Sequence, residues 1–345
     1  MWGFGSGLVV VGAFFRSSFS RVASRGLGIF GVLTYFELLG LIAPVFALIA
    51  VGSIARMAGW LTAESDGSLL KLVVNVLYPA LIFKNVLGNA ALADPRNVLW
   101  PPLVGFVTMA GGILLAWWIG RALGFSAGKG LRTFAFAVGI FNYGYIPIPV
   151  MESLFGPESI GVLLVHNVGC EVAIWTVGVL VLSGLSLRDG WRRLVSGPVI
   201  ALLAAGLGNV MELDAVMPAA VDTTIAMAAA CAIPVGLIAI GSTLSESLRQ
   251  PAQLFSARVT PAACFLRLLL FPAIFLALAK VLPVSQDLKR VMMVQAAMPA
   301  GIIPILIAKH YGGQPLTAVQ VVVGTTVVGL VAIPLWLRIG LAWIG

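Results

Sequence analysis

Two short stretches of this sequence set polar and ring-bearing side chains inside long apolar runs. One reads Asn142-Tyr143-Gly144-Tyr145-Ile146-Pro147-Ile148-Pro149. The other reads Met298-Pro299-Ala300-Gly301-Ile302-Ile303-Pro304, with Gln295 one turn ahead of it. Two prolines and a glycine within a few residues remove helix donors and free carbonyls, so each stretch reads as a break in a helix. A half-helix starting at such a break points N–H donors and the positive end of its dipole into the gap, a setting for an anion. Asn142 and Gln295 are amides placed to add a hydrogen bond, and Tyr143 and Tyr145 can donate O–H or pack a ring. Pro147, Pro299 and Pro304, which make the breaks, belong to the same candidate substrate site, as does Asn75, one turn before Pro79. The alternative role for Asn142 is to satisfy the backbone of the break itself.

A third polar group, His166, Asn167 and Glu171, lies in another apolar run. Asn167 and Glu171 are four apart and share a helix face, whereas His166 is off that face and reads as structural. An ionisable group within a membrane span is costly and points to function. Glu171 is therefore the candidate for binding a coupling proton or sodium ion, with Asn167 and His166 as its neighbours. A carboxylate bonded within the bundle is the other reading. Lys84 and Arg267 are the basic side chains well inside apolar runs, and Arg267 is a candidate partner for Glu171 or for a substrate carboxylate. Neither lies on a break, so an anion's charge is expected to fall mainly on backbone dipoles and amides.

Catalytic constellations are not supported by the sequence: its GxSxG match, Gly124-Phe125-Ser126-Ala127-Gly128, falls in a short connection between two expected helices where a nucleophile elbow needs a strand-to-helix turn, and there is no HExxH and no paired aspartate. Cys170, Cys231 and Cys264 sit in apolar runs without CxxC or CxxH spacing, so neither a metal nor a disulfide framework is expected. The nearest approach to a Walker A loop, from Gly124 to Gly128-Lys129-Gly130, has the wrong spacing and no hydroxyl after the lysine. Uphill transport would have to run on an ion or solute gradient, and no cofactor is expected beyond a coupling proton or sodium ion.

These residues need a scaffold, and the composition sets its class. Of 345 residues, 60% are hydrophobic and 10% charged, against roughly 45–50% and about 25% in soluble domains. With a mean hydropathy of +1.05 there is too little polar side chain to clothe a soluble fold. Soluble enzyme, disordered chain, disulfide scaffold and nucleic-acid binder are all excluded. The net charge of +8 fits an excess of Lys and Arg in cytoplasmic loops. The chain reads as an all-α polytopic membrane protein with ten core helices, near 36–57, 68–91, 98–120, 131–153, 158–184, 196–211, 217–243, 259–282, 288–310 and 315–341. Lipid is its surroundings, no nucleic-acid partner is expected, and a homodimer is left open.

The breaks repeat. Pro79 and Pro234 are 155 residues apart, and Pro147 and Pro304 are 157 apart. Four interruptions are expected, at Pro79, at Asn142–Pro147, at Pro234 and at Pro299–Pro304, with the first a plain kink. The organisation is then an N-terminal extension of uncertain status over 1–32, a five-helix repeat over 33–184, a cytoplasmic linker over 185–195 and a second repeat over 196–345. An odd number of crossings per repeat inverts one half relative to the other, a transporter pattern with its site near the midplane. Basic residues such as Arg56, Arg121, Arg132, Arg192 and Arg258 fall on one side, and Asp94, Glu158, Asp214 and Asp287 on the other. That bias puts the loop after the first helix in the cytoplasm, and the inner (plasma) membrane is the expected location.

At these residues the chain resembles the auxin efflux carrier family, the prokaryotic relatives of plant PIN carriers. The resemblance rests on Phe36-Glu37 through Pro44 and Phe46, Leu77-Tyr78-Pro79-Ala80, Phe141-Asn142-Tyr143-Gly144-Tyr145, Leu154-Phe155-Gly156, Ala297-Met298-Pro299-Ala300, Gly324-Thr325-Thr326 and Pro334-Leu335. It implies ten helices in two inverted repeats, with the fourth and ninth broken and crossing, as in sodium/proton-antiporter relatives. It also implies a secondary active transporter of small organic anions working by alternating access. An ion-coupled symporter or antiporter of the bile-acid or sodium/proton type is the alternative, ahead of a channel or an intramembrane enzyme. The short linker makes auxin itself a poor choice of substrate.

Overall fold

The computed structural model describes residues 33–183, 196–248 and 251–344, and everything within them is helix, turn or extended linker. The extension over 1–32 and the linker over 185–195 lie outside the described residues. Twelve main helices follow one another: α1 (Tyr35–Met57), α2 (Ala63–Val86), α3 (Arg96–Ala122), α4 (Arg132–Gly139), α5 (Pro147–Phe155), α6 (Glu158–Ser183), α7 (Gly197–Val210), α8 (Ala219–Leu248), α9 (Val259–Val281), α10 (Gln286–Ala297), α11 (Ile303–His310) and α12 (Pro315–Ile344). Among the described residues seven of these, α1, α2, α3, α6, α8, α9 and α12, are long and apolar enough to cross a membrane. The chain is a polytopic helical membrane protein. Each helix starts or stops for a local reason. Thr34 and Glu37 cap α1 reciprocally, Thr62 and Ser65 do the same for α2, and Gly156 ends α5 with a positive φ of 81°.

Two of the four expected interruptions are true breaks, between α4 and α5 and between α10 and α11. Pro79, expected as a plain kink, lies within a continuous helix, and so does Pro234, expected to interrupt one. At Pro79 the helix widens into a π turn over Val73–Leu77, where the N–H of Tyr78 reaches back to the Val73 carbonyl. Ladder spacing shifts before the proline, which is thereby never asked for a donor. A matching π turn over Leu266–Leu270 precedes Pro272 in α9. There the Leu268 carbonyl, four residues before the proline, accepts the Trp336 indole N–H at 2.6 Å.

The helices sort into two groups by packing: α1, α2, α7 and α8 lie together, and α3 to α6 lie with α9 to α12. Small residues let the members of each group approach closely, as membrane helices require. Between α1 and α8, Gly52 sits on the Ile238 carbonyl and Gly241 on the Ile49 carbonyl. Between α3 and α6, Gly105 faces the His166 carbonyl and Gly169 faces the Pro102 carbonyl, with no room for a Cβ at either. Gly169→Ala should therefore force α3 and α6 apart and cost about 1–3 kcal/mol, seen as a lower melting temperature in detergent. Gly111→Ala, also on α3 but with nothing near its Cβ, should be neutral or slightly stabilising.

Candidate functional site

The two breaks are built alike and bonded to each other. The N–H of Asn142 donates to the Pro299 carbonyl at 2.8 Å, and that of Gly301 donates to the Ile140 carbonyl at 2.9 Å. Phe141 and Ala300 form an antiparallel bridge between them. The N–H of Ala300 turns the other way, to the Thr325 hydroxyl of α12 at 3.1 Å. Extended backbone survives in this apolar interior because the partner break and a side chain supply its bonds. Pro147 opens α5 and Pro304 stands second in α11, positions where a helix lacks an N–H partner in any case. Both are buried at helix starts and neither lines the cavity beside the breaks, so the non-helical segments run over 140–146 and 298–302. Pro299 contributes its carbonyl to the bridge and does not line the cavity either.

A cavity of about 100 Å³ opens where the breaks meet the other helix group. Phe141, Asn142, Tyr143, Gly144, Tyr145, Gly301, Ile302 and Ile303 line it from the breaks and the start of α11, Glu171 from α6, Val74 and Tyr78 from α2, and Pro198 from α7. Among the described residues, the backbone N–H groups of Tyr143, Gly144, Tyr145, Ile302 and Ile303 donate to no protein acceptor. All five residues line the cavity. Asn142 accepts the Ile146 N–H with its side-chain oxygen at a long 3.4 Å, while its NH₂ has no partner among the described residues. It meets part of the backbone's demand and keeps a donor at the cavity. Tyr145 packs beside Tyr78, ring centroids 6.2 Å apart. Its ring fills a notch at Gly236 of α8, where a Cβ would strike it.

Behind this wall lies a buried polar network. The Tyr143 carbonyl accepts Asn167 Nδ2 at 2.8 Å and Gln295 Nε2 at 3.2 Å, and the same Gln295 nitrogen donates to Asn167 Oδ1 at 3.1 Å. Gln295 therefore holds the first break in place and does not line the cavity. Its Oε1 is buried without a partner among the described residues. Glu171 accepts at both oxygens, from the Tyr143 hydroxyl at 2.5 Å and from Trp175 Nε1, one turn along α6, at 2.9 Å.

Other candidates fall elsewhere. His166 is buried against Cys170, Nδ1 to Sγ 3.7 Å, away from the cavity. Asn75 is exposed and bonds back to the Lys71 carbonyl at 2.8 Å; the π turn in α2 brings Val74 and Tyr78 to the cavity in its place. Lys84 pairs with Asp222 of α8 at 2.8 Å. Arg267 pairs with no carboxylate among the described residues, so it is not the partner of Glu171; it donates to the Ala296 carbonyl at 3.3 Å. Sequence reasoning passed over Tyr78 and Trp175 as site residues. The aromatic before Pro79 and a donor four residues after Glu171 were the available signals.

The family of membrane transport proteins matches this chain in two stretches, over residues 38–188 and 185–337. The chain belongs to that family. It is also similar to an uncharacterized transporter of Methanothermobacter thermautotrophicus, 26% identical over 302 residues that cover 86% of this chain and 96% of the relative. A multi-pass membrane transport protein, of a family of transporters and not of enzymes, is thus established.

Asn167→Ala should leave the Tyr143 carbonyl with Gln295 Nε2 as its one donor, and Gln295 Nε2 with that carbonyl as its one acceptor. We expect a loss of about 1–3 kcal/mol in stability, measured by thermal unfolding, with Asn167→Asp failing to restore it because Nδ2 is the group that holds the break.

Proposed function

We propose that this protein is a secondary carrier of small organic anions, working by alternating access, with its site at the crossing of the two broken helices. One observation carries the reading. Five backbone N–H groups without acceptors among the described residues belong to residues lining one cavity, beside the Asn142 NH₂, which has no partner among them either. Unpaired donors at two half-helix ends favour negative charge, and with tyrosine rings alongside they suit a carboxylate on a small apolar body. The auxin-efflux-carrier resemblance is the finer placement we adopt within the transport family.

In this reading α4 with α5, and α10 with α11, each make one crossing. The ten crossings form two inverted five-helix repeats, with cytoplasmic loops on the arginine-rich side of the inner membrane. The two stretches of family match, which meet at 185–188, support a division there. The cavity lies between the helix groups, with Val74, Tyr78 and Pro198 on one wall and the breaks on the other. Sliding one group past the other would carry it between the two sides.

Glu171 is the proposed coupling group, and a proton suits it better than sodium. Its two oxygens face an O–H and an N–H donor, which leaves no cage of oxygens for a metal ion. Glu171→Gln should abolish gradient-driven uptake into proteoliposomes while sparing substrate binding; unchanged proton dependence in that variant would return Glu171 to a purely structural role. Asn142→Ala should weaken binding about tenfold, the ~1.4 kcal/mol of one hydrogen bond to a charged group. Normal affinity in a folded Asn142→Ala protein, measured by calorimetry with a carboxylate found by thermal screening, would sink the site assignment.

A further inference from the structure

Arg267 of α9 is the largest fully buried side chain among the described residues. Its Nη2 donates to the Ala296 carbonyl at 3.3 Å, while Nε and Nη1 are buried without a hydrogen-bond partner among the described residues. No carboxylate forms an ion pair with it among the described residues. Three aromatic rings hold it instead: its guanidinium carbon lies 5.1 Å from the ring centroid of Phe141, 5.3 Å from that of Phe271 and 5.5 Å from that of Phe275. A guanidinium does not give up its proton in a protein, so this is a standing positive charge. Aromatic faces steady such a charge but do not cancel it.

Its position joins it to the breaks. Phe141 belongs to the first break and lines the cavity, so the guanidinium sits one ring away from it. Ala296 is in the last turn of α10, and the residue whose N–H would ordinarily bond its carbonyl, Ala300, has turned to Thr325. Arg267 thus caps the negative end of α10 where it enters the second break. With that end covered, α10 sets less negative potential against the N–H groups across the break. Phe141 also packs edge to face with Tyr143, 6.5 Å between centroids, and the Tyr143 hydroxyl bonds Glu171, the one acidic side chain lining the cavity. Protonation of Glu171 would leave Arg267 as the single net charge beside the cavity. An unneutralised cation inside a membrane bundle is expensive, and the transport cycle has a use for one if the cargo brings the missing negative charge.

We infer that Arg267 is the fixed positive charge that makes this carrier select anions, acting through Phe141 and the end of α10 without touching the substrate. It is a specificity-determining, positioning residue, and the inference rests on the anion-carrier reading above. Opposite unit charges roughly 8 Å apart at an effective dielectric of about 20 attract by an amount worth about thirtyfold in binding. The experiment compares benzoate, phenylacetate and indole-3-acetate, each with its uncharged amide, by ligand-induced thermal shift on purified full-length protein. It uses the wild type, Arg267→Lys, Arg267→Gln and Arg267→Met. The wild type should prefer at least one carboxylate over its amide. Arg267→Met and Arg267→Gln should lose about thirtyfold of that preference, and Arg267→Lys should keep most of it. Affinity for the amides should barely change, which a merely structural role would not produce. If the wild type shows no preference for any carboxylate, the anion-carrier reading falls and this inference with it. If the wild type discriminates and a folded neutral variant discriminates within threefold of it, this inference alone falls. Recovery of no folded variant, charged or neutral, would assign Arg267 to packing and overturn it as well.

Discussion

Inside an apolar bundle a backbone N–H or C=O has no water to turn to, and the site is organised by how two interrupted helices meet that demand. Neither break is self-sufficient. Asn142 takes its acceptor from Pro299, and Gly301 takes its acceptor from Ile140, so the two halves of the chain hold each other's extended segments. The remaining bonds come from side chains on neighbouring helices: Thr325 for the Ala300 N–H, and Asn167 and Gln295 for the Tyr143 carbonyl. What this arrangement leaves over is a set of donors on one side, at Tyr143, Gly144, Tyr145, Ile302 and Ile303, beside a cavity. In the proposed reading these leftover donors are what would hold the negative charge of a substrate.

Around that crossing the polar groups divide into those that fix geometry and those free to act. Gln295 and Asn167 are spent on the backbone, and Thr325 on a single amide. Glu171, Tyr143 and Trp175 form a chain of hydrogen bonds that ends at the cavity wall. Gly236 of α8 provides the notch for the Tyr145 ring, so the boundary between the two helix groups is shaped by the same residues that line the site. Coupling between binding and sliding would run through that contact.

Much of the fold was legible in the sequence because membrane helices announce themselves by length and hydropathy: the observed ends of α1, α3, α6 and α9 fall within two residues of those expected. The two breaks were legible as well, since clustered prolines and glycine leave the backbone few alternatives. Pro234 was over-read as an interruption because a lone proline can be tolerated in a continuous helix, while Pro79, expected only to kink its helix, is absorbed by a π turn that has no sequence signature. Side-chain direction was the harder part. Asn75 and Val74 are neighbours, and the local widening of α2 decided which faced the cavity. Gln295 sat where expected but turned its amide to a carbonyl. Arg267, remote in sequence from both breaks, is brought against Phe141 and Ala296 by packing alone.

Counterflow in proteoliposomes addresses the carrier reading most directly. Vesicles holding the purified protein and preloaded with an unlabelled carboxylate that stabilises it should transiently accumulate the labelled compound, chemically unchanged, above its equilibrium level. Accumulation that only ever reaches equilibrium, or label recovered as a different compound, would contradict a carrier and point to a channel or an enzyme.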